Sequence, residues 1–357
     1  MRFIIAFLTT VVLALGATAA VNYFVNPYAI YPPRWLAPVS SNDLERALRE
    51  LEEPAAQPAL LVLGSSRSSR LRPQDLECYT GLTSMNAAYA GATPEGYFAL
   101  TAYLVENKTP PKILLVGVDI EAFQIAAKFG DKVTGVPRLK RYLEDTNILQ
   151  EQWQDGTNLV SWAQLNDALR VLSRAQNINL NPTAPLDRAW NKMVNALATK
   201  KNANNAVKIP KAQRPAKQVD NRAEITPALV IQHYQSRFSG YTSLSTEQQT
   251  YFEDLLKLAR ARDIKVKLFI TTLHPDLIKV LDEQGFYPKR YADARAWLEK
   301  LKQTYAFDYY DFSTPDKFDG NTQDFFNLSH IDETNSARAI RAMFPDAARA
   351  AQCAPQP

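Results

Sequence analysis

The sequence predicts an α/β protein: a three-layer α/β/α domain with a mostly parallel sheet, an N-terminal transmembrane helix and a largely helical insertion. Three observations lead there. Short, wholly apolar runs alternate with helical segments, the pattern of strands covered on both faces and linked by crossovers. Residues 3–21 carry no charge over nineteen positions. Between residues 121 and 244 the strand–helix rhythm breaks.

The chain has 357 residues, 46% of them hydrophobic, ample for a real core. A net charge of +4 is too balanced to argue for nucleic acid, and none is expected as a partner. Zinc-finger, Walker A and dinucleotide signatures are absent. Imidazole chemistry has to come from three histidines, His233, His274 and His330.

Residues 1–24 form the first segment. About 20 apolar residues cross a bilayer, so this run just suffices. Arg2 and the free amine favour a cytoplasmic N-terminus with the bulk of the chain exported. This reads as a retained single-pass anchor in the inner (cytoplasmic) membrane, with the rest of the chain on the periplasmic or extracytoplasmic side. A cleaved signal peptide is the alternative, because residues 17–19 fit the small-residue cleavage pattern. Residues 25–54 are an aromatic, proline-rich linker and a lead-in helix on which Leu44, Ala47, Leu48 and Leu51 share a face. In either reading Cys78 and Cys353 lie in an oxidising compartment, where a disulfide and two separate thiols are about equally plausible.

Residues 55–350 make the α/β domain. Residues 59–64, "ALLVLG", are its first strand and a stretch near Asn86 its second. Thr93 and Pro94 open a helix as N-cap and first helical residue. Strands follow at 113–119, 264–272 and 307–312, with helices at 247–262, 292–302 and 332–343. The insertion contains a basic stretch, residues 192–222, with eight basic residues and one acid. It reads as a solvated loop, or as a cationic lid over an anionic polymer or headgroup. Residues 351–357 are a tail.

The chemistry gathers at strand ends, where open parallel sheets place their sites. The first strand runs into "GSSRSSR", residues 64–70. A serine hydroxyl is a poor nucleophile until a base takes its proton, and most serines in such a place are turn residues or caps. The lipase elbow Gly-x-Ser-x-Gly does not fit, since the second glycine is missing. Gly64-Ser65-Ser66 does resemble the Gly-Asp-Ser of the SGNH (GDSL-like) hydrolases. "NAAYAGATPEG", residues 86–96, resembles their second block, Gly117-Val118-Asp119 their Gly-x-Asn, and Asn327-Leu328-Ser329-His330 their final Asp-x-x-His. The layout is similar to the membrane-anchored branch that includes the lipoteichoic acid D-alanylation protein and the alginate O-acetylation proteins.

The resemblance implies Ser66 as nucleophile and His330 as base, with Asn327 or Asp324 orienting the imidazole and Asp332 a further option. It implies an oxyanion site made by the amides of Ser66 and Gly91, with Asp119 at the third donor's position. A carboxylate donates no hydrogen bond unless protonated, so orienting a neighbour is the other task open to Asp119. Arg67, Arg70, His274 and Asn86 are candidate substrate-binding residues. For His274 a cap or turn role is favoured over catalysis, and it is the other histidine open to the role of base; for Arg67, Arg70 and Arg72 salt bridging is equally open. The implied function is an extracytoplasmic acyltransferase or esterase, most simply for acetyl, acting on an envelope or exported polysaccharide. It implies a membrane partner that delivers the acyl group and requires no cofactor or metal. A polysaccharide-binding or assembly factor on the same scaffold is the alternative.

Overall fold

The computed structural model describes residues 2–27, 36, 43–53, 57–124, 133, 136–143, 156–157, 159–175, 226–346, 349 and 353. The basic stretch 192–222, most of the aromatic linker and nearly all of the tail lie outside them. The chain divides into two units, Met1–Ser41 with Asp145–Asp220, and Asn42–Glu144 with Asn221–Pro357.

The first unit holds helix α1 (Arg2–Val25), 24 residues long and apolar enough to cross a membrane. In the same unit Val25 packs with Ala168 and Val171 of a helix at Trp162–Ala175. Asn22, fully buried, donates from Nδ2 to the carbonyls of Leu159 and Ser161 at 2.8 and 3.1 Å, so its amide nitrogen is partnered.

The second unit is the α/β domain. Its strands are β1 (Leu60–Leu63), β2 (Ser84–Asn86), β3 (Ile113–Val118), β4 (Lys265–Ile270) and β5 (Asp308–Asp311). All neighbours pair parallel, in the order β2-β1-β3-β4-β5. A two-stranded antiparallel piece, β6 (Phe325–Asn327) and β7 (His330–Ile331), stands apart.

Alternate residues of the central strands enter two separate cores, as a sheet covered on both faces requires. Leu61, Leu63, Leu114, Val116 and Leu268 pack with the helices at Asp43–Glu52, Pro94–Asn107, Thr246–Ala261 and Tyr287–Thr304. Leu60, Val62, Leu115 and Phe269 pack on the other side with those at Pro73–Thr80 and Glu333–Met343. The result is a layered α/β arrangement around a parallel sheet.

Helix starts follow local chemistry. Thr93 is the N-cap before Pro94, while Ser245 and Asp332 accept backbone N–H bonds at two later helices. The sequence placed the insertion at 121–244. The division into units instead leaves residues 121–144 and the helix Pro227–Ser239 with the α/β domain, because Phe123, Val230, Tyr234 and Phe238 are buried in its larger core.

Cys78 and Cys353 are joined in a disulfide, closing a sequence separation of 275 residues. The bond pins Cys353 to the helix Pro73–Thr80. Reduction, or replacement of both cysteines by serine, is expected to destabilise the domain by about 2–4 kcal/mol. A thermal melt with and without reductant measures this.

Candidate active site

Strand order reverses between β1 and β3, which opens a crevice at their carboxyl ends, the usual site position in an open α/β sheet. Two segments enter it: the turn after β1 and the piece carrying β6 and β7.

The turn after β1 separates its four serines. Ser65 and Ser68 are buried, Ser69 is exposed, and Ser66 is half-buried. Ser65 accepts the Arg67 N–H on its hydroxyl at 3.1 Å. The Ser68 side chain tucks between two strand ends, where a Cβ on Gly64 or Gly117 would come within 2.2 or 2.0 Å of its Oγ. Both glycines are therefore needed for the turn to lie this close. Asn86 holds the turn from the β2 side, donating from Nδ2 to the carbonyls of Ser68 and Leu71 at 2.9 and 2.8 Å.

The Ser66 hydroxyl donates to His330 Nε2 at 2.9 Å. On the other side of the ring, Asn327 Oδ1 lies 2.9 Å from His330 Nδ1 and accepts from the Ser329 N–H at 3.0 Å and the Ser329 hydroxyl at 3.1 Å. A backbone N–H can only donate, so the Asn327 atom it meets is the carbonyl oxygen. That oxygen demands a proton on Nδ1 and leaves the Nε2 lone pair facing Ser66. The tautomer is thus fixed by a neutral amide, without the negative charge of a carboxylate. Asn327→Ala is expected to slow any reaction run through this pair by ~10²-fold or more. Asn327→Asp is expected to stabilise the imidazolium and move the acid limb of the pH–rate profile to higher pH. Rates measured across pH 5–9 read both.

The other candidates are placed differently. Asp324 does not meet the imidazole; its carboxylate pairs with Arg338 at 2.6 Å. Asp332 is an N-cap, bonded to the amides of Thr334 and Asn335. His274 takes the cap role: Nδ1 accepts the Asp276 N–H at 3.1 Å, Nε2 donates to the Thr322 carbonyl at 3.2 Å, and its backbone N–H holds the Leu328 carbonyl at 3.0 Å. It buttresses the segment that carries Asn327. Asn86 has its whole amide engaged, since Oδ1 also accepts the Ala88 N–H. His233 lies on the helix Pro227–Ser239 against Tyr234, where burial and then Arg237 lower its pKa.

Arg67 points inward and is 5% exposed. Its guanidinium meets Asp119 at 3.1 Å and bonds Glu121, with the Tyr234 ring centroid 5.7 Å away. Asp119 also accepts from the Thr271 hydroxyl at 2.7 Å. Burial alone lowers the Arg67 pKa, but the Asp119 and Glu121 carboxylates outweigh it and hold the group well above its ordinary value. A charge consumed in this way is not available to a substrate. Asp119 therefore works as the partner of Arg67 and not as an oxyanion donor. Sequence reasoning missed Glu121, which stands two residues beyond the Gly-x-Asn-like triplet on the same strand exit.

Gly91 sits at φ +69°, in a turn closed by the Ala92 N–H to the Tyr89 carbonyl at 3.2 Å, just ahead of the helix Pro94–Asn107. A cavity of about 230 Å³ opens over Ser66 and His330, walled in part by Tyr89 and Ala90 of this turn and by Arg70. Arg70 is salt-bridged to Glu333 at 2.6 Å. The cavity's other walls include Asp43 and Arg46, from the helix Asp43–Glu52, whose spacing predicts only a packing role.

Fold and site together define a parallel-sheet α/β protein with a Ser–His–Asn hydrogen-bonded relay at the sheet's switch point. The chain belongs to the family described as protein of unknown function (DUF1574), whose profile matches residues 40–333, a span that contains Ser66, Asp119, Asn327 and His330. No curated protein matches the chain in sequence.

Proposed function

We propose that the protein is an SGNH-like serine acyltransferase or esterase, exported and membrane-anchored, which moves a short acyl group, most simply acetyl, to or from a hydroxyl of an envelope or exported polysaccharide. The single observation that carries this reading is the 2.9 Å bond from the Ser66 hydroxyl to His330 Nε2, with Asn327 on the opposite ring nitrogen.

His330 Nε2 takes the Ser66 proton as Oγ attacks the ester carbonyl, and returns it to the departing alkoxide. Ser66 is left as an ester. An incoming sugar hydroxyl then gives its proton to Nε2, attacks the same carbonyl and leaves acylated, while the proton returns to Ser66. Water in place of the sugar makes the protein an esterase. The developing oxyanion is received by the amides of Ser66 and Gly91. The positive φ of Gly91 and the helix N-terminus beyond it favour an anion there.

Two features support the exported location: the apolar helix α1, and the Cys78–Cys353 disulfide, which suits an oxidising compartment. A membrane partner that hands over the acyl group follows from the same reading, since cytosolic acyl donors do not reach that side.

A second reading, a polysaccharide-binding factor without turnover, is favoured by the neutral Asn327 in the orienting position. Labelling with a fluorophosphonate separates the two. The acyltransferase reading expects covalent labelling of Ser66 in the full-length protein in detergent, lost in His330→Ala. No labelling of the intact protein would favour the binding factor.

A further inference from the structure

The cavity over Ser66 has one feature the acyl chemistry does not use. Phe326 forms part of its wall and is 42% exposed. Among the described residues of the α/β domain, only Leu229 shares this degree of exposure for a large apolar side chain. A lone exposed apolar residue is ordinary on a protein surface. Phe326 differs because it is held. The Arg70 guanidinium carbon lies 5.1 Å from the ring centroid, and Arg70 is in turn fixed by Glu333 at 2.6 Å. The ring is also one residue from Asn327 on β6, so its position is tied to that of the relay.

We infer that Phe326 is the stacking platform for the acceptor sugar ring, with the charged groups around the cavity reading its hydroxyl edge. This rests on the acyl-transfer reading above and names the residue that makes the protein choose a sugar over water or a simple alcohol. A pyranose has a flat C–H face and a polar rim. The cavity offers a flat apolar ring, with Asp43, Arg46 and Arg70 around it. Arg46 has side-chain exposure of 55% and only long contacts of 3.5 and 4.0 Å to Asp43 and Glu50, so its donors can turn to a ligand. A fatty acyl chain has no use for such a rim. At about 230 Å³ the space also falls below the ~300–1,000 Å³ of ordinary ligand pockets. It fits a short acyl group and one sugar face, with the rest of a polymer lying outside.

The test uses the full-length protein in detergent, p-nitrophenyl acetate as acyl donor, and methyl glucoside against 1-propanol as competing acceptors at equal concentration. The readout is the ratio of acetyl glycoside to acetyl propanol formed in one sample. That ratio does not depend on how much protein folded or how fast Ser66 was acylated. The wild type is expected to favour the glycoside. Phe326→Trp keeps the preference, while Phe326→Ala and Phe326→Leu reduce it roughly 10-fold, because leucine supplies apolar area without a flat face. Ester cleavage with no preference in the wild type, or a preference kept in Phe326→Leu, overturns the inference and leaves the Ser66 reading standing. No cleavage of the ester at all by the wild type overturns the Ser66 reading itself, and this inference with it.

Discussion

Replacing Ser66 with alanine is expected to remove acetyl-ester turnover almost entirely, with a fall in kcat on the order of 10⁶-fold, as in other serine–histidine sites. His330→Ala is expected to cost about as much, and the double variant no more than either alone. The reason is that the two act as one unit. Without Nε2 the Ser66 hydroxyl keeps its proton; without Oγ the imidazole has no nucleophile to activate. A neutral Asn327 is expected to lower the starting rate below that of a carboxylate-assisted triad while leaving this logic intact. Ser69→Ala is the control: Ser69 is exposed, its hydroxyl bonds the Ser66 carbonyl at 2.6 Å, and it meets no imidazole. Steady-state hydrolysis of an activated acetyl ester by the four variants reads the pattern. Additive losses in the double variant would separate the residues.

The second large effect is on stability. Arg67→Met is expected to destabilise the domain by about 3–5 kcal/mol, because it leaves Asp119 and part of Glu121 as buried, unpaired carboxylates. Arg237, 3.5 Å from Glu121, meets only part of that need. Asp119→Asn in the Arg67→Met background is expected to restore a share of the loss, since it removes one of the stranded charges while keeping an acceptor for Thr271. Denaturant melts of the wild type, both single variants and the double variant give the coupling. A near-zero coupling would mean the pair contributes little. The cluster also ties the turn after β1 to the end of β3, so the placement of Ser66 and the domain's stability share these side chains.

Much of the framework is legible in the sequence, for a physical reason. Strands buried on both faces must be apolar throughout, so Leu60–Leu63 and Ile113–Val118 announce themselves, and Pro94 and Thr93 mark a helix start. Ser66 is legible because a strand end and a short motif coincide, and His330 because a short motif stands just before the last helix. Side chains whose roles are set by long-range partners are not. Arg67 stands among serines and reads as a surface cation until Asp119 and Glu121, more than fifty positions on, close around it. Asp324 is near His330 in sequence yet turned to Arg338. Nothing in the sequence separates Phe326 from Phe325, yet Phe326 stands exposed at the cavity wall, on a strand whose register shifts between Phe325 and Asn327. The helix Asp43–Glu52 shows its apolar face plainly, but nothing in its spacing says that Asp43 and Arg46 wall the cavity.

The central claim is that Ser66 carries the acyl group. Full-length protein is mixed with an activated acetyl ester, quenched in acid during turnover, digested and mapped by mass spectrometry. One acetyl group on the peptide containing Ser66, assigned to that side chain and absent in His330→Ala, is the result expected. Turnover of the ester with the acetyl group on another residue, or with Ser66 unmodified at every quench time, would contradict it.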